Sequence, residues 1–374
     1  MNPSQVYFTD FHVPVGTSQL QKLRRLIEKA GLGELDLDRK LVCIKMHFGE
    51  PGNLSFLRPN YAKVVADFVK DKGGVPFLSD CNTLYAGRRK NALEHLDAAY
   101  ENGFSPLSTG CQILIGDGLR GTDDVEVPVR GGEYVKAAKI GRAIMDADVF
   151  ISLTHFKGHE QAGMGGALKN IGMGCGSRRG KMEQHAAGKP NVSAKRCVGC
   201  RQCAKQCAQD AISYGEDRKA SIDHSKCVGF GRCIASCNFD AISAENDAAI
   251  PDLNRKMAEY AKAVADGRPQ FHISLVIDVS PYCDCHGEND MAILPDVGMF
   301  ASFDPVALDQ ACADACLKQE PIPGSLLDDN MHAEGFCDHH DHFKNTTPET
   351  DWKSCLEHAE KIGLGSRSYE LIRV

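Results

Sequence analysis

The sequence predicts an α/β protein with a mostly parallel sheet, helices on both faces of that sheet, and an inserted cysteine-rich α+β module. Three observations support this prediction. Apolar segments of strand length alternate with amphipathic segments of helix length along most of the 374 residues. A cysteine pattern repeats at a 30-residue offset near the middle of the chain. The composition, 43% apolar and 25% charged, is that of an ordinary globular protein.

Strand and helix candidates alternate before the cysteine repeat. Short apolar runs predict strands at residues 41–46, 75–78, 111–116 and 149–154. Amphipathic spacing predicts helices at residues 60–72, 90–102 and 142–146. This alternation is typical of a parallel sheet, whose functional loops follow the carboxyl ends of its strands.

The same alternation resumes after the repeat. Helices are expected at residues 252–266 and 305–317, and strands at residues 271–279 and 297–301. The repeat therefore interrupts one larger domain. We expect the first part of that domain at residues 1–192, the insert at 193–246 and the second part at 247–374.

The composition argues against several classes of protein. A net charge of −7 argues against nucleic acid as the main partner. The sequence has no apolar run near the length of about 18 residues that a membrane span needs. The N-terminal residues do not resemble a secretory signal. In such a chain, 17 cysteines favour metal ligation or thiol chemistry over a disulfide scaffold.

The repeat has the spacing C-x2-C-x2-C-x3-C of bacterial two-cluster ferredoxins. In that pattern three cysteines on a tight loop bind one iron–sulfur cluster, and the fourth begins a helix and reaches the other cluster. The first cluster, of the 4Fe-4S type, is predicted to take Cys197, Cys200, Cys203 and Cys237. The second cluster is predicted to take Cys207, Cys227 and Cys233.

The second cluster is one ligand short, because Phe230 stands where the first copy has Cys200. Two outcomes follow for this cluster. It is a 3Fe-4S cluster, or it is a 4Fe-4S cluster whose fourth iron takes a distant thiolate or a small molecule. A zinc site is the alternative for the whole repeat, although zinc sites use two pairs of ligands rather than two triplets.

A glycine-rich basic segment precedes the repeat. Residues 155–196 hold eight Lys or Arg and two Glu. Glycines let a backbone approach a ligand closely, and clustered N–H groups with basic side chains attract anions. We therefore expect an anionic substrate or cofactor on the loop of residues 155–181, with a solvated basic surface as the alternative. The candidate binding residues are Gly163, Gly165, Gly166, Arg178 and Arg179.

Three residues of the same loop are candidates for catalysis. Lys169 is expected on the helix after the glycines, where it is a candidate general base, covalent tether or anion clamp. His155 and His159 follow a strand and are expected on a loop. Cys283 and Cys285, in the run Cys-Asp-Cys-His after a later strand, are further candidate metal ligands. They are equally well explained as buried structural thiols.

The chain resembles the iron–sulfur-centre proteins of domain of unknown function 362. The resemblance rests on long motifs: HFKGHEQAGMGGALKNIGMGCGSRRGK from His155, PYCDCHG from Pro281 and DPVALDQA from Asp304. It implies an α/β domain that carries clusters. The segment from Gly158 to Lys169 is also similar to the lysine-bearing loop of nickel-pincer lactate racemases. That similarity implies that His159 and Lys169 face a cofactor or a substrate.

Three functions are consistent with these features. The first is an iron–sulfur oxidoreductase that relays electrons to the basic loop, with an electron donor or acceptor protein as partner. The second is a ferredoxin-like electron carrier or redox subunit, and the third is a metal-cofactor handling or maturation protein. A flavin or a nickel group stays an open alternative in each of them. Because clusters and exposed thiolates are sensitive to oxygen, we expect a cytoplasmic protein of an anaerobe.

Overall fold

The computed structural model describes residues 3–84, 87–185, 189–227, 233, 237, 239, 241–244 and 249–374. The described strands, numbered in chain order, are β1 Ser4–Thr9, β2 Leu41–Lys45, β3 Val75–Asp80, β4 Gln112–Ile115, β5 Asp124–Pro128, β6 Ala137–Gly141, β7 Val149–His155, β8 Lys157–His159, β9 Gly163–Gly165, β10 Pro190–Val192, β11 Ile212–Tyr214, β12 Ala220–Ile222, β13 Ile242–Ala244, β14 Gln270–Val276, β15 Gly298–Ser302 and β16 Tyr369–Arg373.

The helices connect and cover these strands. Within the described ranges they are Gln19–Lys29, Pro59–Asp71, Ala92–Glu101, Pro106–Thr109, Arg142–Met145, Ala167–Cys175, Arg178–His185, Gln202–Lys205, Ala249–Ala265, Pro305–Cys316, Leu326–Met331, His342–Thr346 and Lys353–Lys361, with a 3-10 turn at Leu32–Glu34.

Eight strands form one large sheet in the order β16-β1-β15-β14-β7-β2-β3-β4. The pairs from β14 across to β4 are parallel, so that Ile44 lies opposite both Leu78 and Ile151. β15 is antiparallel to its neighbours β14 and β1. The expected fold class, α/β with a mostly parallel sheet, is confirmed.

Both faces of the large sheet are buried. Along β2, Val42 and Ile44 pack into one apolar cluster while Cys43 between them packs into another. This alternation is the period of a strand. The helices Gln19–Lys29 and Pro59–Asp71 contribute to the first cluster, and Ala167–Cys175 and Pro305–Cys316 to the second. A parallel sheet covered on both faces is the arrangement that βαβ connections impose.

Side chains at several helix starts bond the backbone N–H groups that lack partners within the helix. Ser18 and Gln21 form a capping box before Gln19–Lys29. Asp304 Oδ1 accepts from the N–H groups of Val306 and Ala307 at 2.8 and 3.1 Å. These local signals explain why the helices begin where they do.

The cysteine-rich segment forms two small antiparallel sheets. One pairs β10 with β13, and the other pairs β11 with β12. Its buried side chains make a separate small cluster that includes Cys197, Cys203 and Ile242. The two sheets thus have an apolar centre of their own.

Candidate functional site

A cavity of about 110 Å³ lies at the carboxyl edge of the large sheet. Lys45, Asp80 and His155, which end β2, β3 and β7, all line it. The order in which strands are added to the sheet changes direction at β2. β3 and β4 lie on one side of β2, and β7, which follows them in the chain, lies on the other. Ligands of open α/β sheets bind beyond the carboxyl ends of the strands at such a reversal.

A buried ion pair joins the ends of β2 and β3 at this cavity. Lys45 Nζ lies 3.0 Å from Asp80 Oδ1, and the two side chains are 1% and 3% exposed. Lys45 also donates to Asn170 Oδ1 at 2.8 Å, and Asn170 Nδ2 donates to Thr154 Oγ1 at 2.9 Å. Burial raises the pKa of Asp80, but the charge of Lys45 outweighs it and holds that pKa below its ordinary value. The network connects three strand ends to the helix Ala167–Cys175.

A second charged group surrounds Arg89. Its Nε donates to Glu50 Oε2 at 2.7 Å, and its Nη1 lies 2.6 Å from His47 Nε2. The same guanidinium is 3.7 Å from Asp80 Oδ2. Burial and the charge of Arg89 lower the pKa of His47 well below its ordinary value. This part of the wall therefore carries a neutral imidazole between fixed charges.

His155 anchors a loop that follows β14. Its Nδ1 lies 3.0 Å from both carboxylate oxygens of Asp284, and its Nε2 lies 2.7 Å from the carbonyl oxygen of Ile277. Burial raises the pKa of Asp284, but the charges of His155 and Lys157 outweigh it and bring that pKa to about 2. The contact holds residues 281–287 against the end of β7.

The predicted loop position is wrong for both histidines, because His155 ends β7. His159 ends β8 of the hairpin β8–β9. Its Nδ1 accepts from the N–H groups of Gln161 and Ala162 at 3.0 and 3.1 Å. Burial lowers the pKa of His159. Because Nδ1 accepts these two hydrogen bonds, the ring proton is on Nε2.

Lys169 contacts a buried thiol in the same cavity. Its Nζ lies 3.3 Å from Cys283 Sγ, and Cys283 is 1% exposed. Burial raises the pKa of this thiol, but a hydrogen bond from Cys285 and the charges of Lys157 and Lys169 outweigh it. The pKa of Cys283 therefore lies well below its ordinary value. A thiolate beside ammonium groups serves as a nucleophile or as a metal ligand.

Glu160, Cys285 and His286 form a third group at the cavity. Glu160 Oε1 lies 2.5 Å from His286 Nε2, and Glu160 Oε2 accepts from the backbone N–H of Cys283 at 3.1 Å. The donor atoms of the three residues lie within 4.8 Å of one another. Burial raises the pKa of Glu160, but the neighbouring imidazoles of His159 and His286 outweigh it and hold it below its ordinary value.

Two of the three predicted binding glycines line the cavity, and the third does not. Gly165 and Gly166 line the cavity. A Cβ on Gly166 would lie 2.3 Å from Asp309 Oδ1, because the Asp309 carboxylate accepts from the N–H groups of Ala167 and Leu168 at 2.6 and 2.9 Å. Gly163 has φ +84°, which favours glycine, and it adjoins Thr350. The N-terminus of the helix Ala167–Cys175 is thus occupied by a carboxylate of the chain itself.

The two predicted binding arginines do not line the cavity. Arg179 is 54% exposed, and its guanidinium lies 2.7 Å from Asp124 Oδ1 and 3.1 Å from Glu126 Oε1. Arg178 lies against Gly121, and its backbone N–H donates to the Gly121 carbonyl oxygen at 3.1 Å. The basic residues that do line the cavity are Lys45, Arg89, Lys157, Lys169 and Lys181.

Sequence reasoning missed Lys45 and Glu160. The signal for Lys45 is a single charge at the end of an otherwise apolar strand, in the run LVCIK. Such a charge is buried only where it has a partner. Glu160 had no such signal, because its partner His286 lies 126 positions further along the chain.

Four cysteines of the repeat line a second, smaller cavity. It measures about 20 Å³ and is lined by Cys197, Cys200, Cys203 and Cys237, with Tyr214 and Phe239 among its other lining residues. The backbone N–H of Ala220 donates to Cys197 Sγ at 3.4 Å, and that of Ala241 donates to Cys237 Sγ at 3.3 Å. These are the four residues that the spacing assigns to one cluster.

The other three cysteines of the repeat, Cys207, Cys227 and Cys233, do not line this cavity. Cys207 Sγ accepts from the backbone N–H of Ala211 at 3.4 Å. Cys227 and Cys233 are half-buried, and burial together with the neighbouring Cys227 raises the pKa of Cys233 to about 12. Phe230, at the position of the missing ligand, lies outside the described residues.

Comparisons with known proteins give one curated relative and distant structural neighbours. Thylakoid-associated protein sll1697 of Synechocystis sp. is 30% identical over 168 residues, which are 42% of this chain and 46% of that protein. The match therefore spans less than half the length of the relative.

No helix in the described ranges is both long and apolar enough to cross a membrane.

Two solved structures are similar at low identity. The lactate racemase apoprotein of Thermoanaerobacterium thermosaccharolyticum is 13% identical with a TM-score of 0.35, covering 74% of this chain and 51% of that one. A structural-genomics target from Thermotoga maritima is 12% identical with a TM-score of 0.37, covering 79% and 57%. The family profile described as Domain of unknown function (DUF362) matches residues 42–314. The chain therefore belongs to the DUF362 family.

Proposed function

We propose that the chain is an iron–sulfur oxidoreductase in which two clusters, bound by residues 193–246, relay electrons between a carrier protein and a small anionic substrate. The substrate occupies the cavity at the carboxyl edge of the large sheet. The cluster-binding unit is an insert between residues 1–192 and 247–374, which together make the large domain. A cytoplasmic location is part of the same proposal.

The observation that carries the proposal is the set of cysteines around the smaller cavity. Cys197, Cys200, Cys203 and Cys237 line it together, although the last of them is 34 positions or more from the others. The backbone N–H contacts to Cys197 and Cys237 are of the kind that sets the reduction potential of cluster sulfurs. The donor set therefore fits a 4Fe-4S cluster, which would supply one-electron transfer.

The second cluster is proposed on Cys207, Cys227 and Cys233, which the spacing groups together. With three thiolates it is either a 3Fe-4S cluster or a 4Fe-4S cluster with one iron open to another ligand. The Phe230→Cys variant supplies a fourth thiolate and tests which form is present. A 3Fe-4S electron paramagnetic resonance signal of the oxidised chain that disappears in this variant identifies the first form, and its absence from the unmodified chain favours the second.

The larger cavity supports the substrate half of the proposal. Lys157 and Lys169 bring positive charge to it, and the burial of Lys157 leaves its charge weakly screened. We assign Lys169 as the anion clamp and His159, through its Nε2 proton, as a hydrogen-bond donor to the substrate. His155 is assigned a positioning role, because it holds the loop that carries Cys283.

The experiment compares two cysteines of similar exposure. Cys200 and Cys337 are both exposed, but only Cys200 belongs to the repeat. Anaerobically purified Cys200→Ser should contain less iron than the unmodified chain and show altered visible cluster absorbance, because its first cluster keeps only three cysteine ligands. Cys337→Ser should match the unmodified chain in both. Equal iron and identical absorbance in Cys200→Ser, Cys337→Ser and the unmodified chain would refute the assignment of the first cluster.

A further inference from the structure

The loop of residues 281–287 brings soft and hard metal ligands to the wall of the larger cavity. Glu160 contributes a carboxylate, Cys285 a thiol and His286 an imidazole, and their donor atoms lie within 4.8 Å of one another. All three residues line the cavity. None of them belongs to the cysteine repeat. This donor set is therefore separate from the proposed cluster ligands.

The three side chains are held in place by their surroundings. Glu160 Oε2 accepts from the backbone N–H of Cys283 at 3.1 Å, and Asn53 Nδ2 donates to the carbonyl oxygen of His286 at 3.0 Å. The backbone N–H of Glu50 donates to the carbonyl oxygen of Asp284 at 2.9 Å. Contacts that fix the ligands of a metal site before the ion arrives strengthen its binding.

Close backbone packing also fixes the loop. A Cβ on Gly287 would lie 2.7 Å from the carbonyl oxygen of Pro51, and a Cβ on Gly52 would lie 3.1 Å from the carbonyl oxygen of Gly287. Glycine is therefore required where the two loops cross. The ligand loop rests on residues 50–53 rather than moving freely in solvent.

The distances suit a small divalent ion after a modest adjustment. Zinc bonds to oxygen, nitrogen and sulfur measure about 2.0–2.3 Å, which separates tetrahedral ligands by about 3.3–3.7 Å. Glu160 Oε1 and His286 Nε2 are now 2.5 Å apart, as a hydrogen-bonded pair. Inserting an ion between them replaces one proton and moves the two atoms apart by about 1 Å. The Cys285 thiol, which donates to Cys283, gives up a second proton when it binds the ion as a thiolate.

We infer that Glu160, Cys285 and His286 form a binding site for one divalent ion of the zinc class, with a fourth coordination position directed into the larger cavity. Thiolate, imidazole and carboxylate together are a ligand set that zinc uses in proteins. Three protein ligands with one open position are characteristic of catalytic rather than structural zinc. Such an ion would bind and polarise an oxygen of the substrate next to Lys169.

The test uses cobalt as a spectroscopic probe on the full chain with its clusters loaded. One equivalent of Co²⁺ should bind and give a thiolate-to-cobalt charge-transfer band, seen as a difference spectrum against the same sample without Co²⁺. Zn²⁺ should displace it. In Cys285→Ser the charge-transfer band should vanish and the affinity should fall by at least about tenfold, as expected when a ligand is lost. Cys337→Ser is the control and should bind as the unmodified chain does.

Two further variants decide the result if Cys285→Ser fails to fold. His286→Asn and Glu160→Gln should keep the band weakened or shifted, with an affinity reduced to a similar extent. Binding of Co²⁺ with unchanged affinity and spectrum in all folded variants would overturn the inference, as would no binding by the unmodified chain. Iron and sulfide are measured in the same samples, so loss of the clusters, which would contradict the proposed function, is distinguishable from loss of this site.

Discussion

Replacing Lys45 with methionine should destabilise the chain strongly, because it leaves the buried Asp80 carboxylate without its nearest cation. The two charged atoms are 3.0 Å apart. At an effective dielectric constant of about 20, their attraction is about 5.5 kcal/mol. Removing one partner of a buried pair costs about 3–5 kcal/mol. Arg89, at 3.7 Å from Asp80, offsets part of the loss, so we expect the lower end of that range, about 3 kcal/mol.

The assay is the free energy of unfolding in urea at pH 7, with an exposed pair as control. Lys63 Nζ lies 2.8 Å from Asp67 Oδ2, but both side chains are more than 40% exposed. Lys63→Met should therefore cost no more than about 0.5 kcal/mol. The double variant Lys45→Met/Asp80→Asn should recover most of the loss, since no buried charge is left alone. Equal costs for Lys45→Met and Lys63→Met would refute the reasoning.

Three further predictions concern the helix Ala167–Cys175 and the cavity beside it. Burial raises the pKa of Asp309 from 3.8 to about 7, so the free energy of unfolding should fall as the pH rises from about 4 to about 7. Asp309→Asn should flatten that part of the pH profile, and an unchanged profile would show that another group titrates. Gly166→Ala should cost on the order of 1–3 kcal/mol in urea unfolding, because its Cβ would meet the Asp309 carboxylate at 2.3 Å. A Cβ at Gly33 would meet the flexible Lys72 side chain at 3.3 Å and the Phe68 ring at an ordinary 3.5 Å. Gly33→Ala should therefore cost less than about 1 kcal/mol, so equal costs would contradict the contact. Lys169→Met should reduce thermal stabilisation by inorganic phosphate while leaving cluster absorbance intact, and undiminished stabilisation would remove the anion clamp.

The central strands of the large sheet were predictable because they are buried on both faces. The run at residues 41–46 contains β2, and the run at 149–154 falls one residue short of β7. β1 and β16 were missed. β16 has only half-buried and exposed residues at the edge of the sheet, so its sequence lacks the apolar run that marks a central strand.

The candidate site was predictable where its ligands are close in sequence. Spacing alone groups Cys197, Cys200 and Cys203, and the glycine-rich loop drew attention to Lys169. The contact of Lys169 with Cys283 joins residues 114 positions apart, and only the three-dimensional fold brings them together. The glycines were explained as anion-binding, whereas Gly166 makes room for Asp309. A glycine pattern shows that space is needed but not what fills it.

The central claim is that the cysteine repeat binds iron–sulfur clusters, and the metal content of the chain tests it most directly. Protein purified without oxygen should contain about seven to eight irons per chain and a matching amount of acid-labile sulfide. The repeat supplies seven cysteine ligands for them. Zinc beyond one equivalent, together with little iron and no sulfide, would contradict the account.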